Sequence, residues 1–312
     1  MSAPAVPAAV PRMAQPSVRG RTDRWGSLVE FWFRAHATLV YVFLYAPILV
    51  VVLFAFNDTQ GVAARWQGFS LRWFDIALHD PVVLKSLANS FIIAIPNAIL
   101  ATLFGTMAAL GLQRVGKRLR LAFDGLTYMS VIVPEIVIAL ATLVLFATSF
   151  DVIESATGAK LKFGHTTIIA AHVLFNTSLV LLLVRARLSG MDRTLVEASA
   201  DLFATPWRTF RQITFPQLLP AIVAGFLLSF TFSFDDYVIT TFVSGPGSST
   251  LPLFIFGQVR RGVTPETNAV AAMILGFTLL MLLIGQVVLS WQARRAGRRD
   301  GGVAAVVVSE QV

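Results

Sequence analysis

Six long apolar stretches decide what this chain can become. They run roughly over residues 37–56, 86–112, 126–150, 166–184, 219–243 and 268–291. A bilayer core about 30 Å thick is crossed by about 20 residues of α-helix. Backbone groups in lipid need internal partners, so stretches of this length are helices. Strands of a membrane barrel would be about 10 residues long and alternate in polarity, which these do not. Composition agrees. Of 312 residues, 56% are apolar and 13% charged, with mean hydropathy +0.72; a soluble domain is about 25% charged. A hydrophilic enzyme, a disordered chain, a collagen and a disulfide scaffold are thereby excluded. The chain has no Cys, which removes thiol chemistry and Cys-ligated metals.

The net charge of +8 comes from residues spread along the span edges. With six spans both ends share one side. That side carries eighteen of the 25 Lys and Arg, among them Arg34, Arg118, Arg185, Arg208 and Arg295; seven, including Arg65, Lys160 and Arg260, lie opposite. The excess places both termini in the cytoplasm. No soluble basic patch with interleaved aromatics remains for a nucleic acid. The Ala-, Pro- and Arg-rich residues 1–36 read as a mostly disordered cytoplasmic tail and residues 292–312 as a second tail. Residues 37–291 are the membrane domain, and its first span reads as an uncleaved anchor. Pro47, Pro96 and Pro134 fall inside spans, where each is expected to kink its helix.

The connection over 185–219 is unlike the others: its pattern predicts two short helices. Thr194 stands three residues before Glu197, a capping-box spacing. Leu195, Ala198, Ser199, Leu202 and Phe203 recur at helical spacing. Thr205 suits a cap for the second helix and Pro206 its first turn, with Trp207, Phe210 and Ile213 on one face. Pro216 and Pro220 are expected to stop it before the next span. Such a loop is either a docking surface or an interfacial helix lying on lipid.

The run EASADLFATPWRTFRQITFPQLLPAI (197–222) resembles the EAA loop of bacterial ABC-importer permeases. That pattern has Glu-Ala-Ala, a Gly four residues after the second Ala, and a later Ile-x-x-Pro. Glu197, Ala198, Ile213 and Pro216 match; Ser199 replaces the second Ala and Phe203 stands where Gly is expected. Phe disfavours positive φ, so this turn is expected to be built differently. FLYAPILVVVLFAFN (43–57) and FSFDDYVITTFVSGPGSSTLPLFIFGQVRRGVTPETNAVA (232–271) are similar to the permeases of spermidine/putrescine importers. The resemblance implies the six-helix type I ABC-importer permease (MetI-like) fold. It also implies a second permease subunit, a cytoplasmic ABC ATPase dimer and a periplasmic polyamine-binding protein as partners, in the bacterial inner membrane. Glu197, Ala198, Leu202, Phe203, Trp207 and Pro216 would couple to the ATPase. Glu197 has a second reading, as the partner of Thr194 in the capping box. The chain has no GxxxxGK[ST] phosphate loop, so ATP would be hydrolysed by a partner and no cofactor is expected here.

Acids inside spans usually face a cavity or a partner. Asp235 and Asp236 lie about fifteen residues into the fifth span, roughly 22 Å from its start. Glu135 follows Pro134 in the third. Neighbours on a helix point about 100° apart, so one Asp is expected to face the path and the other a helix. The competing reading is that both cap a helix break or pair with a basic residue. Phe232, Phe234 and Tyr237 bracket the pair, and aromatic faces hold ammonium groups. Glu135, Asp235, Asp236 and Tyr237 are therefore the candidate substrate path for a polyamine. His172, Asn176, Asn89 and Asn97 read as interhelical hydrogen-bonding residues. No metal or catalytic constellation is visible in the spacing of the four His. The alternatives are an importer for another small cationic or amino-acid-like solute, and a secondary transporter or channel that uses no ATP.

Overall fold

In this computed structural model residues 24–59 and 65–309 are described. They are almost wholly helical. In chain order they form α1 (Arg24–Ala55), α2 (Arg72–His79), α3 (Pro81–Gly111), α4 (Lys117–Ile132), α5 (Glu135–Thr157) and α6 (His165–Ser189). Then come α7 (Thr194–Asp201), α8 (Pro206–Thr209), a π-helical segment (Phe210–Thr214), α9 (Phe215–Asp235), α10 (Val238–Val243), α11 (Leu251–Arg261) and α12 (Pro265–Ser309). Among the described residues, six helices are long and apolar enough to cross a membrane. The chain divides into two units, residues 1–50 and 51–312. In the first, every described side chain of α1 is exposed. A helix apolar on all faces is one that lipid or other protein covers.

The second unit is built around α3, α6 and α9. Lipid tails are as apolar as Leu, so helices in a membrane associate by close packing more than by hydrophobic transfer. The sequence of α3 supplies the means. Ala94, Ala98, Ala101, Gly105 and Ala109 recur at three- and four-residue intervals and are all buried. At the tightest point Val180 of α6 enters between two glycines. A Cβ on Gly105 would lie 2.6 Å from Val180 Cβ and 2.9 Å from the Thr177 carbonyl. One on Gly225 of α9 would lie 3.2 Å from Val180 Cγ1. Buried amides tie the same helices. Asn97 donates to the Ser229 carbonyl at 2.9 Å, and Asn176 donates to Asn97 Oδ1 at 3.2 Å. Asn89 donates to the carbonyls of Gly247 and Ser249, holding the 243–250 turn on α3.

Several boundaries differ from the sequence expectation. The third span does not begin near residue 126. Val133 and Pro134 leave the helix, so α4 ends at Ile132 and the span starts at Glu135. Proline disfavours a helical conformation for its predecessor, and here Val133 is extended (ψ 131°). Pro47 and Pro96 lie within continuous helices. The expected tail 1–36 is helical from Arg24, and its residues 1–23 lie outside the described residues. The expected tail 292–312 continues α12 as far as Ser309, and its residues 310–312 lie outside the described residues.

The α3–α6 junction predicts that Gly105→Ala overpacks it, costing about 1–3 kcal/mol. Gly276→Ala in α12 meets nothing within 4 Å and should be tolerated. Thermal unfolding of the two purified variants checks this; equal midpoints would remove the junction from the account.

Candidate functional site

Two surfaces stand out, and one helix connects them. The first is the loop after α6. The loop is shorter than expected, since α6 runs to Ser189. The α7 helix is not capped by a Thr194–Glu197 box. Thr194 is its first residue, and Asp192 accepts from both the Thr194 N–H (2.9 Å) and hydroxyl (2.7 Å). These bonds hold the Asp192 carboxyl below the ordinary carboxylate range. The capping reading of Glu197 therefore fails, and its side chain stands exposed.

The end of α7 overturns a second expectation. Phe203 has φ +55°. Its N–H donates to the Ala200 carbonyl at 2.9 Å and the Ala204 N–H to Ser199 at 3.0 Å. This is the Schellman closure ordinarily made with Gly at the left-handed position. The turn is thus the one a Gly would make, with Phe accepting the strain. The ring is 95% exposed, so nothing beyond its own backbone opposes that conformation. Leu202 and Trp207 beside it are 81% and 69% exposed. Ala198 and Pro216 are exposed as well. Ser199 is buried, with its hydroxyl 2.9 Å from that of Thr209, which ties α7 to the next helix.

That next helix starts as expected: Thr205 accepts from the Arg208 N–H at 3.4 Å and Pro206 opens the first turn. It does not stop at Pro216 and Pro220. The π-helical turn at Phe210–Thr214, closed by the Phe215 N–H on the Phe210 carbonyl, widens the backbone ahead of Pro216. The proline then meets no clashing carbonyl one turn back. Pro206–Asp235 is consequently one rod of 30 residues, about 45 Å long at 1.5 Å per residue.

At its far end the rod breaks. Asp236 is extended (ψ 128°) and α10 begins two residues later. The two acids separate at this break. Asp236 is 8% exposed and turns inward. Its carboxylate accepts from the Thr240 N–H and hydroxyl, both 2.7 Å, and from the Ile239 N–H at 3.3 Å. His172 of α6, 2% exposed, places Nε2 3.0 Å from the same carboxylate and Nδ1 2.7 Å from the Ser233 hydroxyl. A carboxylate only accepts, so Nε2 carries the proton. The capping and pairing reading holds for Asp236, with His172 as partner.

Asp235 is exposed on the other side. With Glu135, Asp236 and Tyr237 it lines a cavity of about 790 Å³. Phe232 and Thr231 of α9 and Met281, Gly285 and Gln286 of α12 complete much of the wall. The three acids and Tyr237 expected on the path are thus brought to one place. Phe234 is not among them; it is buried against Ala94, Ala98 and Phe230. The α12 contribution went unread in the sequence, where Gln286 inside an apolar run was the available signal. Tyr237 stacks on Phe256 with ring centres 4.1 Å apart, and the Arg260 guanidinium lies 5.2 Å from the centre of Phe256. Chemically the cavity is an apolar slot with carboxylates at one end. That suits a ligand carrying ammonium groups on methylene chains.

Comparison with known proteins supplies the context. The family described as "Binding-protein-dependent transport system inner membrane component" matches residues 101–298. The putrescine transport system permease protein PotI of Escherichia coli (strain K12) is 42% identical over 241 residues, covering 76% of this chain and 83% of PotI. The spermidine/putrescine transport system permease protein PotC of Haemophilus influenzae is 35% identical over 261 residues, 83% of this chain and 97% of PotC. Among solved structures, a bacterial ABC transporter involved in import of the acidic polysaccharide alginate superimposes with TM-score 0.68 at 14% identity. That match covers 86% of this chain and 98% of the other. At such identity the likeness concerns the fold alone, the all-α type I importer permease architecture.

A buried acceptor left without its donor costs about 1–3 kcal/mol, and more when it is charged. His172→Ala should therefore lower the unfolding midpoint sharply while Asp235→Asn leaves it near the parent's; similar midpoints for both would mean His172 does not hold Asp236. A left-handed non-Gly residue costs about 1–2 kcal/mol, partly offset by the greater freedom of unfolded Gly, about 0.5–1 kcal/mol. Phe203→Gly should accordingly raise stability slightly and Phe203→Val lower it, read from the same melts; the reverse order would contradict the strained turn.

Proposed function

This chain belongs to the family of binding-protein-dependent transport system inner membrane components, and we propose that the solute it passes is a polyamine, putrescine or spermidine. The chain is a multi-pass permease subunit. The observation that carries the choice of solute is the cavity that gathers Glu135, Asp235 and Asp236 among apolar and aromatic side chains. Charged groups are expensive within a membrane, and a path for anions or sugars has no use for three carboxylates. A flexible chain of ammonium and methylene groups answers both parts of the lining. The relatives named for putrescine and spermidine transport support the same reading.

The proposed machine has four kinds of partner surface. A second permease closes the open side of the cavity. A periplasmic binding protein delivers solute at the α10–α11 end. A cytoplasmic ATPase dimer grips α7, and lipid covers the remaining apolar faces. The basic-residue excess puts α7 and both termini in the cytoplasm. Leu202, Phe203 and Trp207 fill apolar pockets on the ATPase, and Glu197 meets a basic group there. A helix transmits force along its axis, so the 45 Å rod connects that grip to Asp235 directly. ATP drives the change only by favouring one of two global states, which here differ in the tilt of α9.

In vesicles holding the assembled importer, labelled putrescine should accumulate only with ATP, and unlabelled spermidine should compete. Uptake by the purified subunit without a nucleotide-hydrolysing companion would overturn the proposal. Competition by a neutral or anionic solute but not by polyamines would reassign the substrate. Asp235→Asn should cut uptake about tenfold, the loss of roughly 1.4 kcal/mol of interaction, with assembly intact. Glu197→Lys should leave insertion normal and separate ATP hydrolysis from uptake; ordinary uptake would remove Glu197 from the grip.

A further inference from the structure

The rod accounts for movement of Asp235 in the cavity lining. Glu135, in the same lining, begins α5 and is joined through Val133 and Pro134 to α4. Among the described elements α4 packs chiefly against α6. Its outward side chains, among them Leu121, Leu126, Met129 and Ile132, are exposed. Near its start, two polar attachments fasten it. Arg120 Nε donates to the Leu112 carbonyl at the end of α3, 3.2 Å away. Asp124 forms an ion pair with Arg185 of α6. The guanidinium holds the Asp124 carboxyl below the ordinary carboxylate range. Arg185 lies nine residues before Thr194, the first residue of α7. Two residues on, Arg187 Nε donates to the Gln217 carbonyl of α9 at 3.0 Å. The last turns of α6 are thus fastened to α4 on one side and to the rod on the other.

We propose that the Asp124–Arg185 ion pair is the tie that makes α4, and with it Glu135, follow the coupling helix. The Glu135 and Asp235 carboxylates then move together when α7 is displaced. The reason is mechanical. A helix exposed along most of its surface follows a neighbour only through the contacts it has. A half-buried charge pair is stiffer than apolar contact, because separating it leaves each charge poorly solvated. Asp124 and Arg185 are positioning residues; neither lines the cavity. The inference rests on the proposed transport cycle, and its test is arranged so that the two fail separately.

The chain lacks Cys, so an engineered thiol is the one thiol it contributes. In the whole importer, Ile132→Cys sits at the far end of α4. Its rate of modification by a methanethiosulfonate reagent is compared without nucleotide and with ATP plus vanadate. A change of about threefold or more is expected, and an unchanged rate overturns the tie. Adding Asp124→Asn should abolish that change and lower putrescine uptake per ATP hydrolysed by about tenfold, an ordinary magnitude for a coupling free energy. The exchange Asp124→Arg with Arg185→Asp should recover both. Retention of the full labelling change in Asp124→Asn overturns the proposal. So does an equal fall of uptake and ATP hydrolysis at unchanged assembly, or an exchange variant that assembles without recovery. A parent importer that hydrolyses ATP but ignores putrescine counts against the proposed solute only, and the labelling comparison still decides the tie.

Discussion

Backbone groups freed inside a membrane must find partners within the protein, and the break after Asp235 is where this chain meets that constraint. Ending α9 there leaves the first N–H groups of α10 without helical partners. In lipid each unsatisfied group costs several kcal/mol. The Asp236 carboxylate supplies acceptors for Ile239 and Thr240, and His172 holds the carboxylate. With Asp236 occupied in this way, Asp235 is left to face the cavity. The division of labour between two adjacent acids follows from satisfying the break.

The same logic explains why α3, α6 and α9 sit so close. His172 reaches Asp236 only if α6 and α9 are near each other. The glycines flanking Val180 and the alanine face of α3 allow that approach. Asn97, Asn176 and Asn89 then add directional bonds that apolar packing lacks. A polar network in an apolar bundle fixes register, since a slip of one residue would orphan several groups at once.

At the opposite end strain takes the place of satisfaction. Phe203 holds a conformation that Gly would adopt freely, and its ring gains nothing from this chain. Residues kept in sparsely populated backbone regions cluster where function demands a particular side chain direction. The 30-residue rod joins this strained, apolar tip to the acid-lined cavity. The π-helical turn lets Pro216 lie within it, so the rod is continuous where its composition reads as interrupted.

Much of this was legible in the residues themselves. Hydropathy and length determine six spans because the bilayer sets the length of a helix. Glu135, Asp235 and Asp236 announce themselves because acids are costly there, and the EAA-like run singles out the loop after α6. What only the tertiary structure decided are matters of neighbours. Which Asp faces inward depends on His172, 64 residues away in sequence. The capping of α7 passed to Asp192, which the Thr194–Glu197 spacing did not reveal. Whether Pro134 kinks or ends a helix, and whether Pro216 ends or merely widens one, turns on local hydrogen bonds that composition does not specify. Periodicity reports the environment of a helix; the partners of its ends are chosen by the fold.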